Sequence, residues 1–411
     1  MMILLVRWFG LFLLKMIKKN KKKYRKKKGQ NMSSIIEQTR GKNITFSELK
    51  ENLSAIRDAR HDIVVNTKDL VSHVPGFLRT PEIGDLLTSE GVGLPPRDWE
   101  LTPHALRQWC HKFNVPAKYM SKLVGHESFA YPELAKEVMN TTNRVEERDV
   151  MLRGLIDPNG LDYYCRAIVS PSYSIIENFD ILAAVFEGFK AVREEHGIDF
   201  EPGPASVSDT QMRARINIPQ LHVVAEELLR NYTSPFTGNR GIDNPIVFMG
   251  IEIRNSEVGA GAFSLVPSVI IQVCDNGMTL TEDIYRKVHL GASLDSGVVS
   301  QRTLRATTEL ITSETIDKVV EIAHPDFIQA KVDELRGLKK PVGVQVVSEY
   351  LKTAFDDDVA MGIFNDFVMG TDLSAFGVAQ AITSYSQKDY VPNDVAQSLD
   401  DSAIEHAKAL V

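Results

Sequence analysis

The chain has 411 residues, of which 43% are hydrophobic and 25% charged, a composition typical of globular proteins that bury a sizeable core. Its net charge is −7, but the eleven lysines and arginines of residues 1–31 leave the remainder with a balance of −18. This acidic body excludes a protein that coats nucleic-acid backbones through its overall charge, although a local basic face remains compatible with it.

The three cysteines, Cys110, Cys165 and Cys274, lie far apart and form no CxxC pair. This pattern indicates a reducing, cytoplasmic setting with buried thiols, and neither disulfides nor structural zinc. Cys274 and His289 have no spacing known for a nucleophile and its base. We therefore predict no catalytic motif, no metal and no cofactor.

Residues 1–31 consist of an apolar run followed by a lysine-rich run at 18–28. A signal peptide has these parts in the opposite order, and Arg7 leaves the apolar run at the short limit for a membrane span. We favour a misplaced start, with Met32 as the natural first residue. A membrane anchor and a disordered basic tail remain open, and a membrane partner is expected only if residues 1–31 are translated.

The segment 32–149 is predicted to be mainly helical. Thr45–Glu48 forms a capping box that opens a helix, and Asp62–Thr67 reads as a strand. Thr102–Pro103 begins another helix, and Pro116 restarts it after a break. Two short helices of this kind are typical of a small helical layer, or less often of a helix-turn-helix DNA reader.

The segment 150–290 is predicted to be an antiparallel sheet with an inserted helix. The helix begins at Asn178, which we expect to be its N-cap residue. The predicted strands are Val150–Ile156, Leu161–Ser170, Phe200–Ser208, Gln211–Ile218, Pro245–Arg254 and Phe263–Cys274.

The last two of these strands form the most distinctive pattern in the chain. In Pro245–Arg254, hydrophobic side chains alternate with others, as in a strand with two different faces, whereas Phe263–Cys274 is apolar enough to be buried on both faces. The glycine-bearing stretch 255–261 joins them, and its backbone at 258–262 could alternatively form a nest for an anion. We predict a long β-hairpin at the centre of the sheet.

The segment 291–411 is predicted to be a helical bundle. The expected helices are Thr312–Leu335, Val344–Phe355, Val359–Met369, Ser374–Tyr385 and Asp394–Leu410. Strands followed by helices indicate the α+β class. The predicted fold is therefore an antiparallel β-sheet core with an inserted helix, an N-terminal helical layer and a C-terminal helical bundle.

Several stretches of the chain form a recognisable set. One of them reads Gly-Ile-Glu-Ile-Arg-Asn-Ser-Glu-Val-Gly from residue 250. The full set is Leu101–Trp109, Val115–Tyr119, Tyr164–Tyr173, Ile176–Asn178, Gly250–Gly259, Val273–Met278, Lys287–Gly291 and Ala379–Thr383. These stretches resemble the phage/plasmid-like family known as domain of unknown function nine-thirty-two, and the chain departs from the family pattern at Asp275 and at 170–173. The resemblance implies a protein of bacteriophages, plasmids or other mobile elements, with no established reaction.

Polar residues at the ends of the predicted strands are the candidate binding site. If these strand ends meet, arginine can hold a phosphate while tyrosine stacks on a base of a single strand. In the alternative, asparagine and glycine make turns and Arg254 pairs with Glu252 or Glu257. The candidate nucleic-acid-binding residues are Arg166, Ser170, Tyr173, Arg254, Asn255, Asn276, Lys287 and His289.

Three functions follow as hypotheses. The first is non-enzymatic binding of single-stranded DNA in replication or recombination, resembling annealing proteins, by a cytoplasmic homo-oligomer. The second is an enzyme acting on a nucleotide or nucleic acid through Arg254, Glu257 and His289. The third is a protein-interaction component of a phage or plasmid assembly. A basic groove favours the first, a closed polar pocket the second, and a large apolar patch the third.

Overall fold

The computed structural model describes residues 35–81, 96–126, 130–158, 160–173, 175–273, 276–279, 285–287, 301–322 and 324–411. Helices and strands in these ranges form an α+β protein, which confirms the predicted class. The strands are β1 (Gly41–Ile44), β2 (Arg60–Asn66), β3 (Phe77–Thr80), β4 (Arg97–Leu101), β5 (Asp149–Ile156), β6 (Tyr163–Val169), β7 (Glu201–Val207), β8 (Met212–Val224), β9 (Ile246–Asn255), β10 (Phe263–Ile271), β11 (Asn276–Thr279) and β12 (Tyr285–Lys287). The helices are α1 (Ile35–Gln38), α2 (Phe46–Ala59), α3 (Pro103–Lys112), α4 (Ala117–Gly125), α5 (Ala130–Val145), α6 (Asn178–His196), α7 (Glu226–Leu229), α8 (Gln301–Ile322), α9 (Pro325–Gly337), α10 (Val344–Ala354), α11 (Asp357–Met369), α12 (Ala375–Ser386) and α13 (Asn393–Lys408).

The larger sheet has seven strands in the order β1-β7-β8-β9-β10-β11, and β12 also pairs with β10. Every pairing in it is antiparallel. The predicted hairpin is β9–β10, with Ile253 opposite Leu265 and Val247 opposite Ile271. Since β9 lies between β8 and β10, the hairpin occupies the interior of the sheet, as predicted.

The two faces of the larger sheet differ in chemistry. In β9, Val247, Met249, Ile251 and Ile253 are buried in the main hydrophobic core, which also takes in side chains of α6 and of the C-terminal helices. The residues between them face the other way, because successive side chains of a strand alternate. All nine residues of β10 are buried, as its apolar sequence predicted.

A second sheet of five strands, in the order β2-β5-β6-β4-β3, was not predicted as a separate unit. It pairs β5 and β6, expected in the single sheet, with strands from the segment 32–149. Ile63, for example, lies opposite Leu152. Local sequence patterns do not encode a partner so distant along the chain.

Helix α3 begins as predicted, because the Thr102 hydroxyl accepts a hydrogen bond from the backbone N–H of Ala105 at 3.2 Å and Pro103 occupies the first turn. The Thr45–Glu48 capping box of α2 is also present. Helix α5, which the sequence reading missed, completes a layer in which the Trp109 indole N–H donates to Asn143 Oδ1 at 2.9 Å. The pair α3–α4 is therefore part of a packed helical layer.

One predicted helix cap and one predicted helix extent are wrong. Helix α6 begins at Asn178, as predicted, but Glu177 occupies the N-cap position and makes no side-chain capping bond. The single helix predicted over Thr312–Leu335 is two helices, because Pro325 cannot donate the backbone hydrogen bond that a continuous helix needs. Among the described residues, no helix is both long and apolar enough to cross a membrane.

Candidate nucleic-acid interface

The turn 255–261 between β9 and β10 inserts its Val258 side chain against the five-stranded sheet. Val258 is fully buried and packs with Met151 of β5 and with Ala167 and Val169 of β6. The turn therefore joins the two sheets, and several predicted site residues gather around it.

Glu257 is the centre of this junction, and only 3% of the residue is exposed. Its carboxylate accepts a hydrogen bond from Arg166 Nη1 at 2.9 Å and another from the backbone N–H of Asn178 at 2.9 Å. The second bond caps α6 from a distant part of the chain, which supplies the capping group that the sequence reading assigned to Asn178. Glu257 thus connects β6, α6 and the hairpin.

Arg153, on β5, extends the network from the other side. Its guanidinium donates to the carbonyl oxygen of Glu257, to Glu177 Oε1 at 2.8 Å and to Asp62 Oδ2 at 3.3 Å. Burial raises the pKa of Glu177 to about 7, although Arg153 opposes the shift. Burial also acts to raise the pKa of Glu257, but Arg166 and Arg153 outweigh it and the pKa is lowered.

Arg254 belongs to a different network. It donates to the Glu252 carboxylate and, through Nη1 and Nη2, to both carboxylate oxygens of Asp401 at 2.8 and 2.6 Å. The residue is only 7% exposed. Arg166 and Arg254 therefore belong to separate ion-pair networks, because Arg166 pairs with Glu257 and Arg254 pairs with Glu252 and Asp401. The alternative interpretation, in which Arg254 pairs with Glu252, is confirmed.

Asn255 and Tyr173 do lie at the junction. The buried Asn255 amide donates to the carbonyl oxygen of Ile176 at 3.0 Å and to Asn178 Oδ1 at 2.8 Å. Tyr173 is half-buried with its hydroxyl 3.5 Å from the Ser256 carbonyl oxygen, and burial raises its pKa to about 12. Asn255 thus has a role in packing, whereas part of the Tyr173 side chain faces solvent.

The remaining predicted site residues are placed as follows. Ser170 is exposed, and its hydroxyl lies 2.9 Å from that of Ser172. Asn276 and Lys287 lie in β11 and β12, but their side chains, like the whole of His289, are outside the described residues.

The turn does not form the anion nest considered from the sequence. The backbone N–H groups of Val258 and Ala260 donate to Ser256 Oγ at 3.4 and 2.9 Å. Gly259 supplies the left-handed backbone conformation, with φ of +74°. Because a side chain of the turn itself accepts from these amides, they are not turned toward a ligand.

A basic surface that the sequence reading passed over lies on α3 and α4, which we call the basic helix pair. The 26 residues from Leu101 to His126 contain no aspartate or glutamate. Arg107, Lys118 and Lys122 are exposed, and none of them forms an ion pair with any other described residue. Tyr119, between the two lysines, is 52% exposed. The acid-free run was the signal in the sequence that could have revealed this surface.

The basic helix pair is fixed to the sheet junction. Gln108 Nε2 donates to the Val258 carbonyl oxygen at 2.7 Å, and the His104 ring nitrogen lies 3.0 Å from the same oxygen. Burial lowers the pKa of His104, and Arg107 and Arg166 act in the same direction against the hydrogen bond to Val258. The helices therefore hold their exposed cations on a rigid support.

Comparisons of the chain with known protein families, with curated proteins and with solved structures found no match in any of the three. Among the described residues, no group of three or more histidine, cysteine, aspartate or glutamate side chains is arranged to hold a metal ion. The geometry and charge of the chain itself are therefore the basis for assigning a function.

Proposed function

We propose that this protein binds single-stranded DNA without catalysing a reaction, through the basic helix pair. The observation that carries the proposal is the exposure of Arg107, Lys118 and Lys122, with Tyr119 between the two lysines, on two helices that contain no acidic residue. Lysine and arginine neutralise phosphates and release their counterions, and an exposed aromatic ring gives an unpaired base a stacking partner.

The acidic remainder of the chain agrees with a local interface. Outside residues 1–31 the balance of charge is −18, so a nucleic acid is repelled from most of the surface. A DNA strand that binds in spite of this overall negative charge binds where acidic side chains are few. The helices of the basic helix pair contain no acidic side chain.

The biological setting in the proposal comes from the family resemblance. We propose a mobile-element protein of a phage or plasmid that acts in the host cytoplasm during replication or recombination, as a homo-oligomer that holds strands for annealing. The two free cysteines within the described residues, Cys110 and Cys165, are buried, which is compatible with a reducing compartment.

Fluorescence anisotropy with a labelled oligothymidylate of about 16 nucleotides, over a salt series, tests the proposal. We expect binding that weakens steeply with salt. In Lys118→Ala/Lys122→Ala, the slope of log affinity against log salt should fall by about 1.4, because each single-strand phosphate contact contributes about 0.7.

The matched control is Lys50→Ala/Lys352→Ala, which removes two exposed lysines from α2 and α10. It should bind as the unmodified protein does. All variants share residues 1–31, so a difference between them reports on the helix pair alone. No binding at low salt, or equal slopes for both double variants, would remove the proposal.

A further inference from the structure

The second face of the seven-stranded sheet is rich in buried polar and charged side chains, although the C-terminal helices cover it. Side chains in this position are apolar in most packed layers, because burying polar groups costs free energy unless they are satisfied. The polar residues alternating with the core-facing ones are Ser206, Arg213, Arg215, Asn217, Glu252, Arg254, Ser264 and Ser268.

A cavity of about 380 Å³ lies between this face and the neighbouring parts of α12 and α13. Its walls include Arg213 and Arg215 of β8, Glu252 of β9, Ser268 of β10 and Asp400 of α13. The volume lies within the range of small-molecule sites, roughly 300–1,000 Å³.

Arg213 holds the two carboxylates of the cavity in place. It binds Glu252 through two hydrogen bonds, of 2.8 and 2.9 Å, and lies 3.4 Å from Asp400 Oδ2. Burial acts to raise the pKa of Glu252, but Arg213 and Arg254 outweigh it and lower the pKa to about 2. Asp400 differs, because burial raises its pKa to about 6. Two carboxyl groups that differ in this way are characteristic of functional sites.

Positive groups outnumber negative ones in the cavity. Lys42 of β1 also lines it, and its ammonium donates to three carbonyl oxygens at the end of α12, the shortest bond being 2.7 Å to Lys388. Lys42, Arg213 and Arg215 thus face two carboxylates, Glu252 and Asp400. The cavity has a positive charge that suits an anion.

Two further residues indicate the form of the ligand. Ser268 is 1% exposed, and its hydroxyl oxygen has no hydrogen-bond partner among the described residues. A buried hydroxyl without a partner costs free energy that a bound ligand could recover. Phe236, also in the cavity wall, is 62% exposed and offers an aromatic face to a planar ring.

We propose that this cavity binds a phosphate-bearing small molecule of mononucleotide size. Arg215 and Lys42 attract the phosphate, the Ser268 hydroxyl donates to one of its oxygens, and the base lies against Phe236. The hydrogen bonds from Arg215 to the phosphate are charge-assisted, and such bonds are roughly twice as strong as those between neutral groups. None of the residues that line the cavity belongs to the basic helix pair, and binding in the cavity does not depend on DNA binding there.

Isothermal titration calorimetry of the full chain with adenosine monophosphate tests the proposal. We expect a dissociation constant of about 1 mM or below. Adenosine should bind at least tenfold more weakly, because it lacks the phosphate, and inorganic phosphate should compete with the nucleotide.

Two variants locate the site. Arg215→Met keeps much of the side-chain volume and should weaken binding of adenosine monophosphate at least tenfold. Ser268→Ala, a smaller change, should weaken it by about threefold or more while the protein stays folded. Arg193→Met, which removes an exposed arginine of α6, is the control and should bind normally.

The phosphate could come from a free nucleotide or from the end of a DNA strand. Displacement of a labelled oligonucleotide by adenosine monophosphate would assign the cavity to a strand end, and binding of both at once would assign it to a free nucleotide. If Arg215→Met does not fold, Ser268→Ala decides the question. No heat of binding at about 10 mM nucleotide, or unchanged affinity in Ser268→Ala, would overturn the proposal.

Discussion

Glu257 is a carboxylate in a turn between two strands, yet it is as buried as the apolar core around it. Its two oxygens are occupied by Arg166 and by the first backbone N–H of α6. A charge in such a place is tolerated only because its partners are fixed around it. Removing the negative charge of Glu257 leaves the positive charges of Arg166 and Arg153 buried without one of their carboxylate partners.

Glu257→Gln should therefore lower the free energy of unfolding by about 3–5 kcal/mol, since breaking a buried ion pair from one side leaves the other charge unpaired. Urea denaturation followed by circular dichroism measures this loss. Glu187→Gln, which alters an exposed pair with Lys190 on α6, should change the transition little. A loss under about 1 kcal/mol in Glu257→Gln would contradict the role given to this residue.

Asp400 gives a pH dependence of stability opposite in sign to that of a carboxylate whose pKa is lowered on folding. Burial raises its pKa from 3.8 to about 6, with Glu252 and Asp401 acting in the same direction and Arg213 and Ser386 against it. The folded protein therefore holds this proton more tightly than the unfolded chain does. The stability that the protonated form contributes is present below about pH 4 and is lost as the pH rises to about 6.

Asp400→Asn should remove this loss. Between about pH 4 and 6 the variant should lose less stability than the unmodified protein, by roughly 1–3 kcal/mol. Urea denaturation at several pH values measures the difference, with Asp326→Asn at an exposed helix start as the control. Parallel curves of stability against pH for Asp400→Asn and the unmodified protein would show that folding does not raise the pKa of Asp400.

Helices α11 and α12 of the C-terminal bundle pack very closely against each other. Every residue of α12 is buried, and a Cβ atom added at Gly362 of α11 would lie 2.0 Å from Cε2 of the Tyr385 ring. A glycine inside a helix is normally unfavourable. Here it permits the contact between the two helices.

Gly362→Ala should destabilise the protein by about 1–3 kcal/mol, because overpacking outweighs the better helix propensity of alanine. Gly337→Ala, at the open end of α9 where an added Cβ meets nothing within 4 Å, should be neutral or stabilising by up to about 1 kcal/mol. Thermal unfolding of both variants provides the comparison. Equal shifts of the melting temperature in the two variants would show that the space around Gly362 does not limit the packing of α11 against α12.

Elements with local signals could be predicted from the sequence. The Thr45–Glu48 capping box, the Thr102–Pro103 helix start and the alternating pattern of β9 each lie within a few residues. The group that caps α6 could not be predicted, because the capping carboxylate, Glu257, is 79 residues away from Asn178. The break at Pro325 could be read from the sequence and was overlooked.

At the scale of the whole molecule, the strands divide between two sheets that meet at the turn 255–261. The sequence predicted the fold class and the central hairpin, but the partners of β1 and β2 lie too far along the chain for local patterns to identify. The candidate site shows the same limit. Arg254 lies near the end of β9 as predicted, whereas Arg166 lies in the middle of β6. Only tertiary structure shows that carboxylates from other parts of the chain bind both side chains.

The location of DNA binding is the central claim, and photo-crosslinking tests it most directly. An oligothymidylate carrying 5-iododeoxyuridine is irradiated with the full chain, and mass spectrometry identifies the crosslinked peptide. We predict a crosslink at Tyr119 that is lost in Lys118→Ala/Lys122→Ala and kept in Lys50→Ala/Lys352→Ala. Crosslinks at Phe236 with none at Tyr119 would contradict the claim and place the strand at the polar cavity instead.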